Sequence, residues 1–189
     1  SATTKVLPEV LDAMLPFFKG EYGNPSSLYE FAYTSARAVE KARAQVADVI
    51  GAKPREIYFT SCGSESDNWV LKGVASRLGN KGRHIITSAL EHPAIMHTCG
   101  YLEKKGFRVT YIKPDKYGMI TAQAVEDAIE DDTILISVMT ANNEIGTIMP
   151  IKEIGEAAKK HGILFHTDAV QAFGHIPMNV DEMNIDLLS

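Results

Sequence analysis

The chain's 189 residues, 45% hydrophobic and 23% charged, suffice for one buried core or slightly more and carry no disorder signature. A net charge of −5 with scattered lysines and arginines leaves no footprint for nucleic acid, and no apolar run approaches the ~20 residues of a membrane span. Ser1–Lys5 lacks a signal sequence, and Cys62 and Cys99 form neither a metal-type pair nor a disulfide framework, so the expected setting is the cytoplasm.

In chain order, helical periodicity predicts Pro8–Lys19, then a Gly- and Pro-containing loop over Gly20–Ser27. The clearest helix is Tyr29–Ile50, where Ala32, Ala36, Val39, Val46, Val49 and Ile50 recur at helical spacing. A strand is expected at Ile57–Thr60, a helix at Glu65–Leu78 and a strand at His84–Ser88. There follow a helix over Ala94–Lys105, a strand over Arg108–Ile112, a helix over Thr121–Ile129 and a strand over Ile134–Thr140. Pro150 suits the entry of the helix Ile151–His161 and Gly162 its exit, ahead of a strand at Ile163–Thr167 and a short one at Ile185–Leu188. Short apolar runs alternating with longer helices predict an α/β fold: a mostly parallel sheet sandwiched by helices. The chain stops on Leu187-Leu188-Ser189, which reads as a strand entering a sheet, whereas domains tend to end in exposed polar tails. Its start is similarly abrupt, so a longer parent chain is expected.

Four polar clusters each follow an apolar run, and in an open parallel sheet such positions converge on one crevice. In the first, Thr60 to Asn68, small residues and a helix start favour an anion through free amide N–H groups and the helix dipole, with hydroxyls from Ser61, Ser64 and Ser66. Its plain alternative is a capping box between Ser64 and Asp67. Neither the dinucleotide glycine fingerprint nor the nucleotide phosphate-loop lysine pattern is present. In the second, Glu91-His92-Pro93, the proline holds His92 extended, where it can stack on a planar ligand, move protons, or simply bond to backbone. His84, His97, His161 and His175 read as structural or solvated. The third, Asn142-Asn143-Glu144-Ile145-Gly146-Thr147, is either a turn or an amide that bonds a ring hydroxyl or a substrate carboxylate. In the fourth, Asp168 ends a strand on the same face as His166, with Gln171 three residues on. A half-buried carboxylate there can pair with a protonated ring nitrogen, or cap a helix. Together the clusters are the parts needed to hold a phosphorylated aromatic cofactor. A metal site using His92, His166 and Asp168 is a weaker alternative.

Gly23-Asn24-Pro25-Ser26-Ser27, Phe59-Thr60-Ser61 with Glu65-Ser66-Asp67-Asn68, Glu91-His92, Asn142 to Thr147, and Thr167-Asp168-Ala169-Val170-Gln171 occur in one order. That order resembles the cysteine desulfurases of the iron–sulfur assembly and nitrogenase-maturation group, which are class V aminotransferase-like enzymes using pyridoxal phosphate on fold type I. The resemblance implies that Gly63 and Ser64 hold the cofactor phosphate and that His92 stacks on the ring and assists proton transfer. It further implies that Asp168 pairs with the pyridine nitrogen, that Gln171 bonds the phenolic oxygen, and that Asn143 sits beside that oxygen and the substrate carboxylate. Residues 1–10 would be an N-terminal segment on the small-domain side, and 11–189 a cofactor-binding large domain incomplete at its C-terminal end. Cys62 stands where the family usually has a small residue and is not its sulfur-accepting cysteine. Tyr29 replaces a frequent histidine.

On this resemblance the chain is the N-terminal half of an enzyme that turns L-cysteine into L-alanine and delivers persulfide sulfur to an acceptor such as an iron–sulfur scaffold protein. A homodimer is implied. The family's Schiff-base lysine and sulfur-accepting cysteine are absent from the sequence, so the fragment alone is expected to be inactive. Another fold type I aminotransferase or lyase, or a catalytically silent scaffold homologue, is the alternative.

Overall fold

The computed structural model describes residues 4–189, so the first three residues of the expected N-terminal segment lie outside the described residues. It divides into two compact units, one ending at Tyr58 and the other spanning Phe59–Ser189. In the first, α1 covers Pro8–Lys19 with Pro8 at its entry, where a missing N–H costs nothing. A 3-10 turn, Glu30–Ala32, runs into α2, Tyr33–Ile50, which is left through Gly51 at φ 71°. The predicted helix from Tyr29 therefore begins as a tighter turn, and only its part from Tyr33 is α-helical. Ser35, buried on α2, donates to the Glu21 carbonyl at 2.9 Å and pins the preceding loop.

The predicted strand Ile57–Thr60 does not form. Those residues leave a second 3-10 turn, Pro54–Glu56, without regular structure, and the Arg43 guanidinium holds the Ile57 carbonyl. Its β-branched and aromatic side chains fit a pleated surface, but that preference is realised only where a sheet supplies a neighbour.

The second unit runs α3 (Gly63–Leu78), β1 (His84–Ser88), α4 (Pro93–Glu103), β2 (Arg108–Ile112), α5 (Ala122–Asp127), β3 (Thr133–Ser137), α6 (Ile151–His161), β4 (Leu164–Thr167) and β5 (Leu187–Leu188). Its five strands form one sheet in the order β2-β1-β3-β4-β5, and every pairing is parallel. All residues of β1 and β3 are buried, as expected of parallel strands covered on both faces. On one face Leu71, Val74 and Ala75 of α3 and Ile95, Cys99 and Leu102 of α4 pack on Ile85 and Leu135. Alternation turns Ile86 and Ile136 to the other face. No helix of the described residues is long and apolar enough to cross a membrane.

On α6, a Cβ at Gly155 would come within 2.0 Å of the Met183 carbonyl oxygen, so the segment before β5 rests directly on this helix. Gly155→Ala is expected to destabilise the protein by about 1–3 kcal/mol through this backbone clash, outweighing alanine's ~1 kcal/mol advantage in helix propensity. A urea unfolding midpoint equal to that of the unmodified protein would show that the Met183 segment yields instead.

Candidate active site

The chain leaves β1 towards β2 on one side and returns to β3 on the other, so the loops after β1 and β3 lie at a topological switch point on the carboxyl edge, where such sheets bind ligands. Three loops meet there and are tied by hydrogen bonds. The Met139 N–H donates to Glu91 Oε1 at 3.0 Å, and Asn142 Nδ2 donates to the Leu90 carbonyl at 3.0 Å. The Thr140 N–H donates to the Asp168 carbonyl at 2.8 Å, and the Thr140 and Thr167 hydroxyls lie 2.7 Å apart.

α3 begins at Gly63, two residues before the predicted start, with Cys62 as its N-cap. The capping box, the plain alternative at this position, is absent: Asp67 is buried, while Glu65 takes the Ser61 N–H at 2.5 Å. A Cβ at Gly63 would lie 2.7 Å from Val170 Cγ2, so the glycine lets this helix start approach the turn after β4. The exposed Cys62 thiol is lowered from its ordinary value, first by the Glu65 backbone N–H and next by the Ser61 hydroxyl. A negative charge is thus favoured at this helix start.

His92 is the N-cap of α4: its Nδ1 accepts the Ala94 N–H at 3.1 Å, which fixes the ring and leaves Nε2 as the protonated nitrogen. The plain alternative of a backbone-bonded histidine is therefore realised, with the ring itself exposed. Asn142 is buried and builds the turn, its Oδ1 accepting the N–H groups of Glu144 and Ile145 at 2.9 and 3.0 Å. Asn143 stands exposed on that turn.

Asp168, at the end of β4, is buried, and its Oδ1 accepts the Val170 N–H at 3.0 Å. Burial pushes its carboxyl up, while the Val170 N–H and the nearby His92 pull it back. Gln171 is half-buried in the turn that follows. Gly63, His92, Asp168 and the Val170–Gln171 turn thus share one edge of the sheet, with Ser64 and Asn143 exposed on the bordering segments. His92, His166 and Asp168 do not form a ligand set, because both ring nitrogens of His166 are engaged. Nδ1 lies 2.9 Å from Ser137 Oγ, and Nε2 lies 3.0 Å from Ser189 Oγ.

Beneath this edge lie two further buried acids, Glu91 and Asp67, neither of them among the expected cofactor-binding residues. Glu91 accepts from Ser88 at 2.6 Å and from Met139, and burial, helped by the charges of Asp168 and Asp67, pushes its carboxyl up to about 8. Asp67 is pushed up to about 7 by burial and by Asp168. His166, wholly buried, is pushed down to about 3 and is neutral. The sequence did hold a sign of Asp67. Residues 67, 71, 74, 75 and 78 form the apolar stripe of α3, and an acid in that stripe is a buried polar group.

The chain matches the aminotransferase class-V family over residues 1–189. It is 60% identical to the cysteine desulfurase IscS of Methanosarcina thermophila and 57% identical to that of Clostridium botulinum (strain Kyoto / Type A2). Both alignments take in all of this chain but 47% and 48% of the relative, so the chain spans about half the length of the curated relatives it matches. Among solved structures, SspA in complex with cysteine superposes with a TM-score of 0.96 at 45% identity, covering 100% of this chain and 54% of that one. The parallel sheet flanked by helices is the fold type I architecture of those structures. By its fold and by a family match along its whole length, the chain belongs to the aminotransferase class-V family and within it resembles the cysteine desulfurases.

Proposed function

We propose that these residues supply most of one pyridoxal phosphate site of a cysteine desulfurase, which converts L-cysteine to L-alanine and passes the sulfur as a persulfide to an acceptor such as an iron–sulfur scaffold protein. The observation that carries this reading is the meeting of the α3 start, His92 and the buried carboxylate of Asp168 at one sheet edge. The donor set suits the cofactor: a helix start that favours anions for the phosphate, and a desolvated carboxylate for a protonated ring nitrogen. Bound there, pyridoxal phosphate supplies an electron sink for bond cleavage at the substrate's α-carbon.

On this reading, N–H groups at Gly63 and Ser64 hold the phosphate, and the glycine gives it close backbone approach. His92, its Nδ1 occupied by the helix cap, presents its ring face to the cofactor and moves a proton at Nε2. Asp168 holds the ring nitrogen in its charged form. Gln171 and Asn143 direct amides to the phenolic oxygen, and Asn143 also to the substrate carboxylate. The family's lysine and sulfur-accepting cysteine belong to the remainder of a longer, homodimeric, cytoplasmic protein, and turnover is a property of that whole. Residues 11–189 are then its cofactor-binding large domain and residues 1–10 a segment on the small-domain side.

The tests are an intact mass of the full-length protein after incubation with pyridoxal phosphate and borohydride reduction and, on a separate unreduced sample, product analysis with L-cysteine and a thiol reductant that releases persulfide sulfur as sulfide. One stoichiometric adduct with alanine and sulfide formation is expected. An adduct without sulfide would point to an aminotransferase or another lyase, and no adduct would sink the cofactor assignment.

A further inference from the structure

Asp67 is the least expected charge in the molecule: an acid on the apolar stripe of a helix, 1% exposed, with Oδ1 wholly buried and without a hydrogen-bond partner. That oxygen lies 3.8 Å from His166 Nε2. The same ring nitrogen lies 3.0 Å from Ser189 Oγ, which is 2.7 Å from Ser66 Oγ, and the opposite nitrogen meets Ser137. The network therefore joins α3, β3, β4 and the end of β5 directly below Asp168, two residues beyond His166 on the same face of β4. An unsatisfied buried carboxyl oxygen is costly, and its survival at one spot calls for a physical reason. A well-packed apolar side chain would serve the core better.

Three features give that reason. The titratable groups facing Asp67 are His166 and Asp168 from the end of β4 and Glu91 from the loop after β1. His166 is neutral, so Asp67 has no fixed cation to pair with. Its strongest charged neighbour is Asp168, whose charge opposes ionisation of Asp67 unless a positive charge lies between or beside them.

We propose that Asp67 is a positioning residue for Asp168: lying beside His166 below the site, it holds its proton more tightly while no cation faces Asp168 and gives it up more readily, as a second negative charge, when a cationic ring pairs with Asp168. This role rests on the cofactor reading above. Its consequence is that the site meets a cationic ring with more negative charge than Asp168 alone carries. The proton leaves Asp67 for solvent on binding, so charge balances without another reactant.

The test uses Asp67→Asn, with Asp67→Ser as a second variant should the amide's extra donor prevent folding. In the full-length holoprotein, ring-labelled pyridoxal phosphate followed by 15N magnetic resonance reports the pH at which the ring nitrogen loses its proton. Both variants are expected to lower that midpoint by about one unit while still binding the cofactor, because one of two nearby negative charges is gone. In the cofactor-free protein, the unfolding equilibrium constant of Asp67→Asn relative to the unmodified protein is expected to improve at least tenfold between pH 5 and pH 8.5. Only a carboxyl that is neutral at the lower pH and charged at the higher gives that change. An unmoved ring midpoint, or a relative stability independent of pH, overturns the proposal. Failure of the unmodified protein to bind pyridoxal phosphate overturns the cofactor reading, and the pH-dependent stability then decides by itself whether Asp67 holds a proton.

Discussion

Asp168→Ala in the full-length protein is expected to weaken pyridoxal phosphate binding by roughly 10²–10⁴-fold, with desulfurase turnover falling at least as far. The size follows from the cost of removing one member of a buried charged pair, ~3–5 kcal/mol. The side chain is 6% exposed at the end of β4, and it accepts a local hydrogen bond from the Val170 N–H. Alanine therefore leaves a ring cation with no partner from this strand. Asp168→Asn separates charge from shape. It keeps an oxygen for Val170 and loses the charge, so it should resemble alanine in cofactor affinity while staying closer to the original in stability. Cofactor affinity by equilibrium titration and sulfide release from L-cysteine are the measurements. If Asp168→Ala leaves both intact, the assignment of the ring-pairing residue is wrong.

Glu91→Gln is expected to stabilise the protein at alkaline pH and to do almost nothing in acid. The folded state pushes this carboxyl from its ordinary 4.5 to about 8, mainly through burial, against the opposing bonds from Ser88 and Met139. A raised carboxyl means that the folded chain binds the proton more tightly than the unfolded chain. The associated stability is fully present below about pH 4.5 and is lost as pH rises through about 8. Glutamine copies the protonated form: its oxygen can keep both bonds now made to Oε1, and its amide sits where the unpartnered Oε2 is. The gain above pH 8.5 should be on the order of 3 kcal/mol, because each tenfold difference in proton affinity between folded and unfolded chain is worth ~1.4 kcal/mol and the site relaxes in part. Urea denaturation at pH 5 and pH 9 would show it. A gain of equal size at both values would mean that packing, rather than ionisation, governs the site.

The regular elements were legible wherever a periodic pattern and local chemistry agreed. α1, α6, β1 and β2 have the predicted limits, and Pro150 and Gly162 do bracket α6. Ile57–Thr60 misled because strand propensity is a property of side chains on a sheet, and membership of a sheet depends on distant residues. The start of α3 was misread for a different reason. Ser64 and Asp67 have capping-box spacing, but the burial of Asp67 beside His166 and Asp168 depends on residues about a hundred positions on and is invisible at four-residue range. Within the candidate site, the places of Asp168 at the end of β4 and of His92 at the start of α4 were readable from the apolar runs before them. The division of labour between Asn142 and Asn143 was not, since both have the same chemistry and only the fold shows that Asn142 is spent on Leu90, Glu144 and Ile145.

The order of the strands also bears on how the chain is made. β2, the neighbour of β1 on one flank, is synthesised soon after it, but the other flank of β1 awaits β3, whose first residue follows the last of β1 by 45 positions (133 − 88). At ~5–20 residues per second this leaves the nascent flank His84-Ile85-Ile86-Thr87-Ser88 without its second neighbour for roughly 2–9 s. That apolar strand edge is where nascent chains would adhere to one another, so the yield of folded protein should depend on translation speed and chaperone supply between β1 and β3.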